Sequence, residues 1–318
     1  MPEKYLKDIS IIIATCNRSS SLRNVLTDLA GLKDCESITY EIIVVDNNSK
    51  DQTREVVEEF QKKMPGKIVY MFEPRQGRSI ALNLGIEQAK GKILAFTDDD
   101  VKVDPHWIKN VKEGFEKYSC DMIGGRILPY YYPDTPQWLK DNSHQLFGPI
   151  VQCDYGSEDK PYDCVKMREF VGANIAFKKS VLDECGGFRV DIGAGQGLNG
   201  EDTEMFQRLY QRKKQLYYCG SVLIWHPVEK NRANLRYLAG WFMRTGRFRV
   251  RIGTFDNEPL VHWGGVPRYL FRAIPVEMVQ MLLNFYDRGK FLKFFSRFFI
   301  MIGGAKEYRL LYKKSENS

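Results

Sequence analysis

The chain has 318 residues, of which 43% are apolar and 27% charged, and its formal net charge is +7 at pH 7. This composition excludes collagen-like, low-complexity and disordered chains, and it predicts one large globular domain with an appendage. Seven cysteines without a C-x-x-C pair indicate neither a zinc ribbon nor a redox dithiol, and they fit a reducing compartment.

The N-terminus and the hydropathy of the chain bear on its location. The first ten residues, MPEKYLKDIS, lack the apolar core of a signal peptide. No stretch approaches the roughly 18 uncharged apolar residues that a membrane-spanning helix needs. We therefore expect a cytoplasmic protein without a membrane span.

The N-terminal half alternates apolar β-branched runs with amphipathic stretches, which is typical of strands joined by crossover helices in a largely parallel sheet. A helix is also expected to begin at Asp104-Pro105, with the Asp104 carboxylate as its N-cap. The fold class is therefore α/β. The predicted strands are 9–15, 41–45, 67–72 and 92–97, and the predicted helices between them are 21–29, 53–63 and 79–89.

The composition and regularity of the sequence change after residue 123. Residues 124–167 are aromatic, proline-rich and irregular, and we expect long loops or an inserted hairpin that shapes a substrate site. Regular structure is predicted again at 170–177, in a helix at 202–213 and in a strand at 221–225. A glycine-rich stretch occupies 193–200.

The predicted organisation is one domain at 1–228 and a helical extension at 229–318. The domain has a first half at about 1–123 and a second half at about 124–228. From residue 230 onward there are 17 Lys and Arg against 6 Asp and Glu, a net charge of +11, while the rest carries −4. Apolar and cationic residues mix at helical spacing there, so the extension either lies on an anionic membrane or packs against the main domain.

Three consecutive acids, Asp98, Asp99 and Asp100, directly follow a predicted buried strand. Strand-end carboxylates of an open α/β sheet point into its ligand crevice, and such oxygens suit a Mg²⁺ or Mn²⁺ ion that also holds a diphosphate. The alternative is an acidic turn that caps the next helix. Because Asp104 is predicted to supply that cap and adjacent acids repel one another, we favour the metal site.

Polar groups also follow the first two strands. Thr15, Asn17 and Arg18 end the first strand, and Asp46 ends the second within the run Asp46-Asn47-Asn48-Ser49. The carboxyl ends of neighbouring parallel strands would form one polar crevice. For Asp46 a turn or helix-cap role remains an alternative, because this run is also typical of turns.

Two arginines, Arg75 and Arg78, precede the next helix and could reach phosphate oxygens, although each could equally be a surface residue. A P-loop at 85–92 is excluded because the spacer is one residue too long and Ile93 replaces Ser or Thr. The first strand is followed by CNRSSSL and not by G-x-G-x-x-G, which disfavours a dinucleotide-dependent oxidoreductase.

Two further candidates lie in the second half. Glu201 and Asp202 open a predicted helix, where a carboxylate could take a proton from a hydroxyl nucleophile. Asp202 could instead cap that helix, although Met205 is not the Glu or Gln of a capping box. His226 ends a predicted strand; a lone histidine is more often structural than a metal ligand.

In order and spacing these segments resemble the family 2 glycosyltransferases with the GT-A fold. The resemblance covers about residues 8–228 and is carried by ISIIIATCNR, EIIVVDNNSKDQT, GRSIALNLGIEQAKGKILAFTDDD, FVGANIAFKKSVLDECGGF and GEDTEMFQRL. It implies a GT-A type, Rossmann-like, mostly parallel sheet flanked by helices. It also implies an inverting enzyme that moves a sugar from a nucleotide diphosphate donor to a hydroxyl acceptor with a divalent cation, Mn²⁺ or Mg²⁺.

The resemblance implies roles for single residues as well. Asp46 would contact the base, Asp98 the ribose or the metal's waters, and Asp100 the metal itself. Gly172, Ala173 and Asn174 would border the donor sugar and acceptor. The residues predicted to bind the nucleotide sugar are Thr15, Asn17, Arg18, Asp46, Arg75, Arg78, Asp98, Asp99 and Asn174.

The predicted metal ligands are Asp100, Asp98 and His226, the last at a position where some relatives supply a further ligand. Asp202 would be the general base, and Glu201 beside it would orient the acceptor or the donor sugar. The metal and an arginine would stabilise the negative charge that develops on the diphosphate.

The expected partners are a nucleotide-sugar donor and a glycan or lipid-linked acceptor of surface polysaccharide assembly. Residues 230–318 would give peripheral contact with the inner face of the plasma membrane. The alternative is a catalytically idle GT-A-fold protein that binds a sugar nucleotide and acts as an assembly partner. Intact Asp100 and Asp202 argue against it.

Two other classes are disfavoured. A nucleotidyltransferase would have a glycine-rich phosphate loop where CNRSSS stands. Nucleic acid is not an expected partner, because no recognised binding module is present and the acidic main domain would repel a polyanion.

Overall fold

The computed structural model describes residues 5–193, 195, 197–255 and 261–316. Positions 194 and 196 of the predicted glycine-rich stretch, residues 256–260 and both ends of the chain lie outside the described residues. The chain forms two compact units. The sheet unit comprises Met1–Tyr130, Val151–Gly195 and Glu201–Pro227, and the helical unit comprises Tyr131–Ile150, Gln196–Gly200 and Val228–Ser318.

The secondary structure elements are these. The strands are β1 (Lys7–Thr15), β2 (Tyr40–Asp46), β3 (Ile68–Phe72), β4 (Gly91–Thr97), β5 (Lys102–Val103), β6 (Met122–Tyr131), β7 (Lys160–Pro161), β8 (Asn174–Lys178), β9 (Leu216–Val228), β10 (His262–Trp263) and β11 (Val266–Pro267). The helices are α1 (Ser19–Ala30), α2 (Thr53–Lys63), α3 (Arg78–Gln88), α4 (Trp107–Tyr118), α5 (Gln137–Asp141), α6 (Lys179–Cys185), α7 (Glu201–Gln211), α8 (Leu235–Arg251), α9 (Leu270–Leu283) and α10 (Arg288–Glu316).

Within the described residues, β1 to β9 form one mixed sheet in the order β3-β2-β1-β4-β8-β6-β9-β5, with β7 paired to β9. The strands β3, β2, β1 and β4 are parallel, as the alternation in the N-terminal half predicts. Strand β8 then runs antiparallel to β4. The α/β expectation is confirmed.

The core of the sheet unit explains why these runs become strands. The run Ile11-Ile12-Ile13 of β1 and all of β2 are buried, because helices cover both faces of the parallel part of the sheet. Helix α3 approaches β1 closely at Gly85, where an added Cβ would lie 2.7 Å from Ile12 Cγ2. Close packing of this kind fixes the position of each strand end.

The start of helix α4 differs from the prediction. The helix begins at Trp107, and the Asp104 carboxylate accepts a hydrogen bond from the backbone N–H of His106 at 2.8 Å. The carbonyl of Asp104 binds the N–H of Trp107 at 3.0 Å. Asp104 and Pro105 therefore form a turn ahead of the helix, and the predicted N-cap role of Asp104 is wrong.

The predicted irregular segment also begins later than expected, because residues 124–131 belong to strand β6. The pair Gly124-Gly125 resembles a loop signal in the sequence. In the structure these glycines allow tight packing: an added Cβ on Gly124 would lie 2.1 Å from the Phe170 ring. The neighbouring strand β8 and the segment that precedes it thus decide the conformation here.

The helical unit has its own apolar core, centred on Leu238, Phe242, Leu292 and Phe295 of α8 and α10. The fully buried Glu307 accepts hydrogen bonds from Arg247 at 2.7 Å and Arg251 at 2.6 Å. These ion pairs join α8 to α10. Among the described residues no helix combines the length and apolar content needed to cross a membrane.

Candidate active site

The carboxyl ends of three neighbouring parallel strands meet at one edge of the sheet. Thr15 of β1 lies opposite Asp46 of β2, and Thr97 ends β4 on the other side of β1. Asp98, Asp99 and Asp100 continue directly from β4. The polar groups predicted for this edge therefore share one crevice, as expected for an open α/β sheet.

Strand β9 brings His226 to the acidic run. One ligand atom each from Asp98, Asp100 and His226 lies within 4.8 Å of the others. The Nε2 atom of His226 is 3.4 Å from Asp100 Oδ1 and 4.0 Å from Asp98 Oδ2. The structure thus brings together the three residues predicted as metal ligands.

The environment of His226 selects its tautomer. The ring is almost fully buried, and Nδ1 is 3.0 Å from the carbonyl oxygen of Pro227. A carbonyl can only accept, so Nδ1 carries the hydrogen and Nε2 presents a lone pair towards the two carboxylates. A backbone carbonyl commonly orients a ligating histidine in this way.

The donor set of Asp98, Asp100 and His226 fits a divalent cation. Two carboxylates and one imidazole match the oxygen and nitrogen ligands of Mn²⁺, and the carboxylates also suit Mg²⁺. Three protein ligands leave coordination positions for water or diphosphate oxygens. These residues could therefore hold the ion that the sequence predicts.

Two arginines bind the acidic run. Arg18 donates to Asp100 Oδ2 at 2.6 Å and to Asp99 Oδ1 at 3.1 Å. Arg78 binds Asp98 on one side and Glu201 Oε1, at 2.6 Å, on the other. Burial alone would raise the pKa of Asp98, but the charge of Arg78, which also donates a hydrogen bond to this carboxylate, holds that pKa below its usual value.

Arg78 connects the acidic run to the start of helix α7. Arg78 and Glu201 are 123 residues apart in the sequence, and Glu201 is buried. Asp202 follows Glu201 and accepts hydrogen bonds from the backbone N–H groups of Gly172 at 2.7 Å and Thr203 at 2.8 Å. The metal-ligand cluster and the predicted base therefore belong to one continuous polar network.

The carboxyl group of Asp202 has the electrostatics of a base that works near neutral pH. Burial, followed by the adjacent Glu201 carboxylate, raises the pKa of Asp202 to about 6, and the Gly172 N–H and Arg78 oppose this rise. A general base is most effective when its pKa lies near the working pH. Asp202 is thus suited to proton abstraction, whereas a simple helix cap needs no raised pKa.

Gly172 leaves space that this network requires. An added Cβ would lie 3.2 Å from Asp202 Cβ and Oδ2 and 3.3 Å from Arg78 Nη1. We expect Gly172→Ala to displace both side chains and to lower the turnover rate roughly 10- to 100-fold, because small misplacements of reacting groups have large kinetic effects. The control is Gly31→Ala, where the added Cβ has no contact closer than 3.5 Å. Equal turnover by both variants would contradict this role.

Asp46 is held in place from two directions. Its Oδ1 accepts from Ser49 N and its Oδ2 from the Tyr70 hydroxyl, both at 2.8 Å. Asp46 therefore makes the turn contact that the sequence left open as an alternative, and it is also buried at the edge of the crevice. Asn17, with φ of 54°, accepts from Lys50 N at 2.6 Å and so joins the loops after β1 and β2.

Asn47 is a structural residue of this edge for which the sequence predicted no role of its own. Its buried amide donates to the carbonyls of Glu73 and Arg75 and accepts from Gly77 N. The loop that leads to Arg78 is fixed by these contacts. The only signal in the sequence was the position of Asn47 directly after Asp46.

Arg75 does not join the acidic run. Its side chain is 73% exposed and pairs with the buried Glu73, with Nη2 2.7 Å from Oε2. Of the two predicted arginines, the structure therefore brings only Arg78 to the metal-ligand cluster.

The amide of Asn174 has structural partners at every polar atom. Its Oδ1 accepts from Trp107 Nε1 at 2.9 Å, and its Nδ2 donates to the carbonyls of Arg126 at 2.9 Å and Val222 at 2.8 Å. It therefore ties α4, β6 and β9 together at the start of β8. The structure does not direct this amide towards a ligand.

We expect Asn174→Ala to lower the free energy of unfolding by about 2 to 4 kcal/mol, because three buried polar partners would lose their hydrogen bonds. Urea unfolding followed by circular dichroism measures this. Normal stability together with weakened donor binding would instead support the predicted role of Asn174 at the sugar.

The chain is similar to glycosyltransferases and to a succinoglycan biosynthesis protein. A family model described as "Glycosyl transferase family 2" matches residues 10–186, more than half of the chain. Succinoglycan biosynthesis protein ExoM of Rhizobium meliloti is 26% identical over 253 residues, which cover 79% of this chain and 77% of that protein. Glycosyltransferase AglE of Haloferax volcanii is 30% identical over 262 residues, 79% of this chain and 76% of that protein.

A solved structure shares the fold. Mannosyltransferase PcManGT from Pyrobaculum calidifontis, in complex with GDP-Man and Mn²⁺, superposes with a TM-score of 0.60 at 16% sequence identity. The match covers 98% of this chain and 91% of that one. At this level of identity, the likeness concerns the fold.

Proposed function

Because this chain belongs to glycosyl transferase family 2, we propose that it moves a sugar from a nucleotide diphosphate donor to a hydroxyl of its acceptor, with inversion at the anomeric carbon. The acceptor is a glycan or a lipid-linked intermediate of surface polysaccharide assembly. The succinoglycan biosynthesis role of ExoM and the GDP-Man and Mn²⁺ complex of PcManGT support this assignment.

One observation carries the proposal: the Asp98, Asp100 and His226 cluster is joined through Arg78 to Glu201, next to Asp202. Sugar transfer needs charge stabilisation for the leaving diphosphate and a base for the attacking hydroxyl. The network provides a metal-ligand set and a carboxylate with a raised pKa in one crevice.

Asp98, Asp100 and His226 would hold a divalent cation, Mn²⁺ or Mg²⁺. When bound, such an ion neutralises negative charge on diphosphate oxygens without proton transfer. Arg18 and Arg78 form ion pairs with the carboxylates of the acidic run. Both would donate to phosphate oxygens when the donor enters, since guanidinium groups bind phosphate readily.

Asp202 takes the proton of the attacking hydroxyl. The acceptor oxygen then bonds to the anomeric carbon as the bond from that carbon to the diphosphate oxygen breaks, and the electron pair leaves with the diphosphate. Attack from the side opposite the leaving group inverts the anomeric centre in one displacement. Glu201, held by Arg78, orients the acceptor or the donor sugar.

The nucleotide pocket is formed by Thr15, Asn17, Arg18 and Asp46 at the ends of β1 and β2, with Asp99 beside them. Asp46 contacts the base. In this proposal, residues 1–228 carry out transfer and residues 229–318 contact the inner face of the plasma membrane from the cytoplasmic side. The net charge of +11 after residue 229 supports membrane contact.

Thermal melting of the full chain tests the donor class. UDP, GDP, dTDP and CDP are each added with and without Mn²⁺, and saturation at about 100 times Kd adds roughly 2.7 kcal/mol of stability. We expect a rise of several degrees with one nucleotide, and only with Mn²⁺. If the melting temperature rises but no sugar is transferred from the matching nucleotide sugar to a membrane extract, the result would favour the catalytically idle assembly partner.

A further inference from the structure

A groove with a cavity volume of about 850 Å³ crosses the helical unit between α9, the β10–β11 hairpin and the C-terminal half of α10. Its apolar lining includes Trp263 and Phe271, whose rings are 5.4 Å apart, together with Ile274 and Ile302. Its size and lining fit a hydrocarbon chain. None of the residues assigned to transfer belongs to it.

The hairpin that forms one wall is built into the fold. Strands β10 and β11 are joined by Gly264 and Gly265, with φ of 55° and 78°, a two-residue turn that requires positive φ at both positions. Gly265 packs on α10 so closely that an added Cβ would lie 2.4 Å from the Tyr312 side chain. The groove therefore has fixed walls on this side.

Three cations line the groove on one stripe of α10. Lys306, Arg309 and Lys313 follow one another at helical spacing, and none forms an ion pair with another described residue. By contrast, Arg247 and Arg251 in the same unit both form ion pairs with the carboxylate of Glu307. Three like charges beside an apolar surface call for an anionic partner that also has an apolar part.

The groove itself exposes large apolar side chains to water. Of its lining residues, Trp263 is 69% exposed, Phe271 50% and Leu310 39%. Large contiguous apolar surfaces mark interaction sites. Because the region around it carries a strong positive charge, a second copy of this chain would be repelled, whereas an anionic lipid surface complements both features.

We propose that this groove binds a phosphate-bearing anionic lipid of the membrane. The acyl or prenyl chain lies along Trp263, Phe271 and Ile302, and the phosphate binds Lys306, Arg309 and Lys313. This inference rests on the proposed membrane contact of residues 229–318 and not on the transferase chemistry.

The test compares two triple variants of the full chain by flotation with phosphatidylcholine vesicles that contain phosphatidylglycerol. The groove variant carries Lys306→Gln, Arg309→Gln and Lys313→Gln. The matched control carries Arg288→Gln, Lys290→Gln and Lys293→Gln, which removes the same charge from exposed positions of the same helix. We expect about 100-fold weaker binding for the groove variant, since each cation contributes about a fivefold factor, and less than a fivefold change for the control.

Equal losses in the two variants would mean general electrostatic attraction and would overturn the groove assignment, as would unchanged binding in both. A second measurement separates lipid from free anion. Monomeric dioctanoyl phosphatidic acid should raise the melting temperature of the wild type and not of the groove variant, and inorganic phosphate at the same ionic strength should have no effect. An equal rise with inorganic phosphate would overturn the lipid assignment.

The outcome is independent of the donor site. The groove variant should keep the Mn²⁺-dependent stabilisation by nucleotide, so loss of lipid binding with intact nucleotide binding supports the groove alone. Sedimentation velocity tests the remaining alternative, a second copy of this chain. If the wild type does not bind lipid and is a dimer, and the groove variant is a monomer, the surface serves self-association and the proposal is overturned.

Discussion

Asp202→Asn is expected to lower the turnover rate about 10²- to 10⁴-fold, the usual contribution of a general base, and to leave Mn²⁺-dependent donor binding intact. The amide cannot accept the proton of the attacking hydroxyl. The variant keeps the size of the side chain, and Asp202 is not among the clustered metal ligands. Single-turnover kinetics with radiolabelled donor measure the chemical step, and calorimetry measures donor affinity.

The matched control is Glu204→Gln in the first turn of the same helix, where the carboxylate is paired with Arg208 at 3.0 Å. This substitution also removes one negative charge from the start of α7. We expect turnover within about threefold of wild type, as for a partly exposed ion pair of small energetic weight. A comparable loss in Glu204→Gln would mean that the charge of the helix start matters and that Asp202 has no special role.

The pH profile gives a second readout for Asp202. The base must be ionised to accept a proton, and its pKa is about 6. The value of kcat/KM of the wild type should therefore rise about tenfold per pH unit below 6 and level off above it. In Asp202→Asn the residual activity should lack this inflection. An unchanged profile would assign the titration to another group.

Thermal stability should show the same group titrating. Because the folded-state pKa of Asp202 lies above its ordinary value of 3.8, the folded protein holds this proton in a window where the unfolded chain has released it. Wild-type stability attributable to this group therefore falls as pH rises from about 4 to 6. The melting temperature of Asp202→Asn minus that of the wild type should accordingly be more positive at pH 7 than at pH 4.

The second large effect is expected at the metal-ligand cluster. Asp100→Asn should weaken Mn²⁺-dependent nucleotide binding more than about 100-fold, because removal of an outer partner of a metal ligand alone costs 10- to 100-fold. The substitution removes the charged oxygen that lies 3.4 Å from His226 Nε2. Titration with Mn²⁺ followed by electron paramagnetic resonance reports the ion directly.

Asp99→Asn is the control for this experiment. Asp99 is buried and shares the partner Arg18 with Asp100, but it is not one of the three clustered ligands. We expect Mn²⁺ affinity within about fivefold of wild type, since no ligand of the proposed site is removed. Similar losses of Mn²⁺ affinity in both variants would show that the acidic run acts by pairing with Arg18 and not by binding the metal.

The sequence alone predicted the parallel part of the sheet and the carboxylates at its edge. The strands β1, β2 and β4 contain apolar runs, an acid ends β2 and three acids directly follow β4, so both features are local in the chain. The segments that resemble the family 2 glycosyltransferases contain these same strands and acids. The family could therefore be assigned from the order and spacing of local features.

The partners of the site residues were decided by tertiary structure. The sequence left Arg75 and Arg78 equivalent, yet Arg78 lies between Asp98 and Glu201 whereas Arg75 is exposed beside Glu73. It offered Asn174 as a ligand-binding residue, yet the amide is bound on all sides by α4, β6 and β9.

His226 shows the physical reason for this division. A short continuous apolar run rich in β-branched residues specifies a strand that is buried on both faces, and that information is contained in a few consecutive positions. The approach of His226 to Asp100 depends on antiparallel pairing between strands far apart in the chain, which the packing of the whole sheet determines. The sequence by itself therefore determined the elements and their polar ends, and only the tertiary structure decided which of those ends meet.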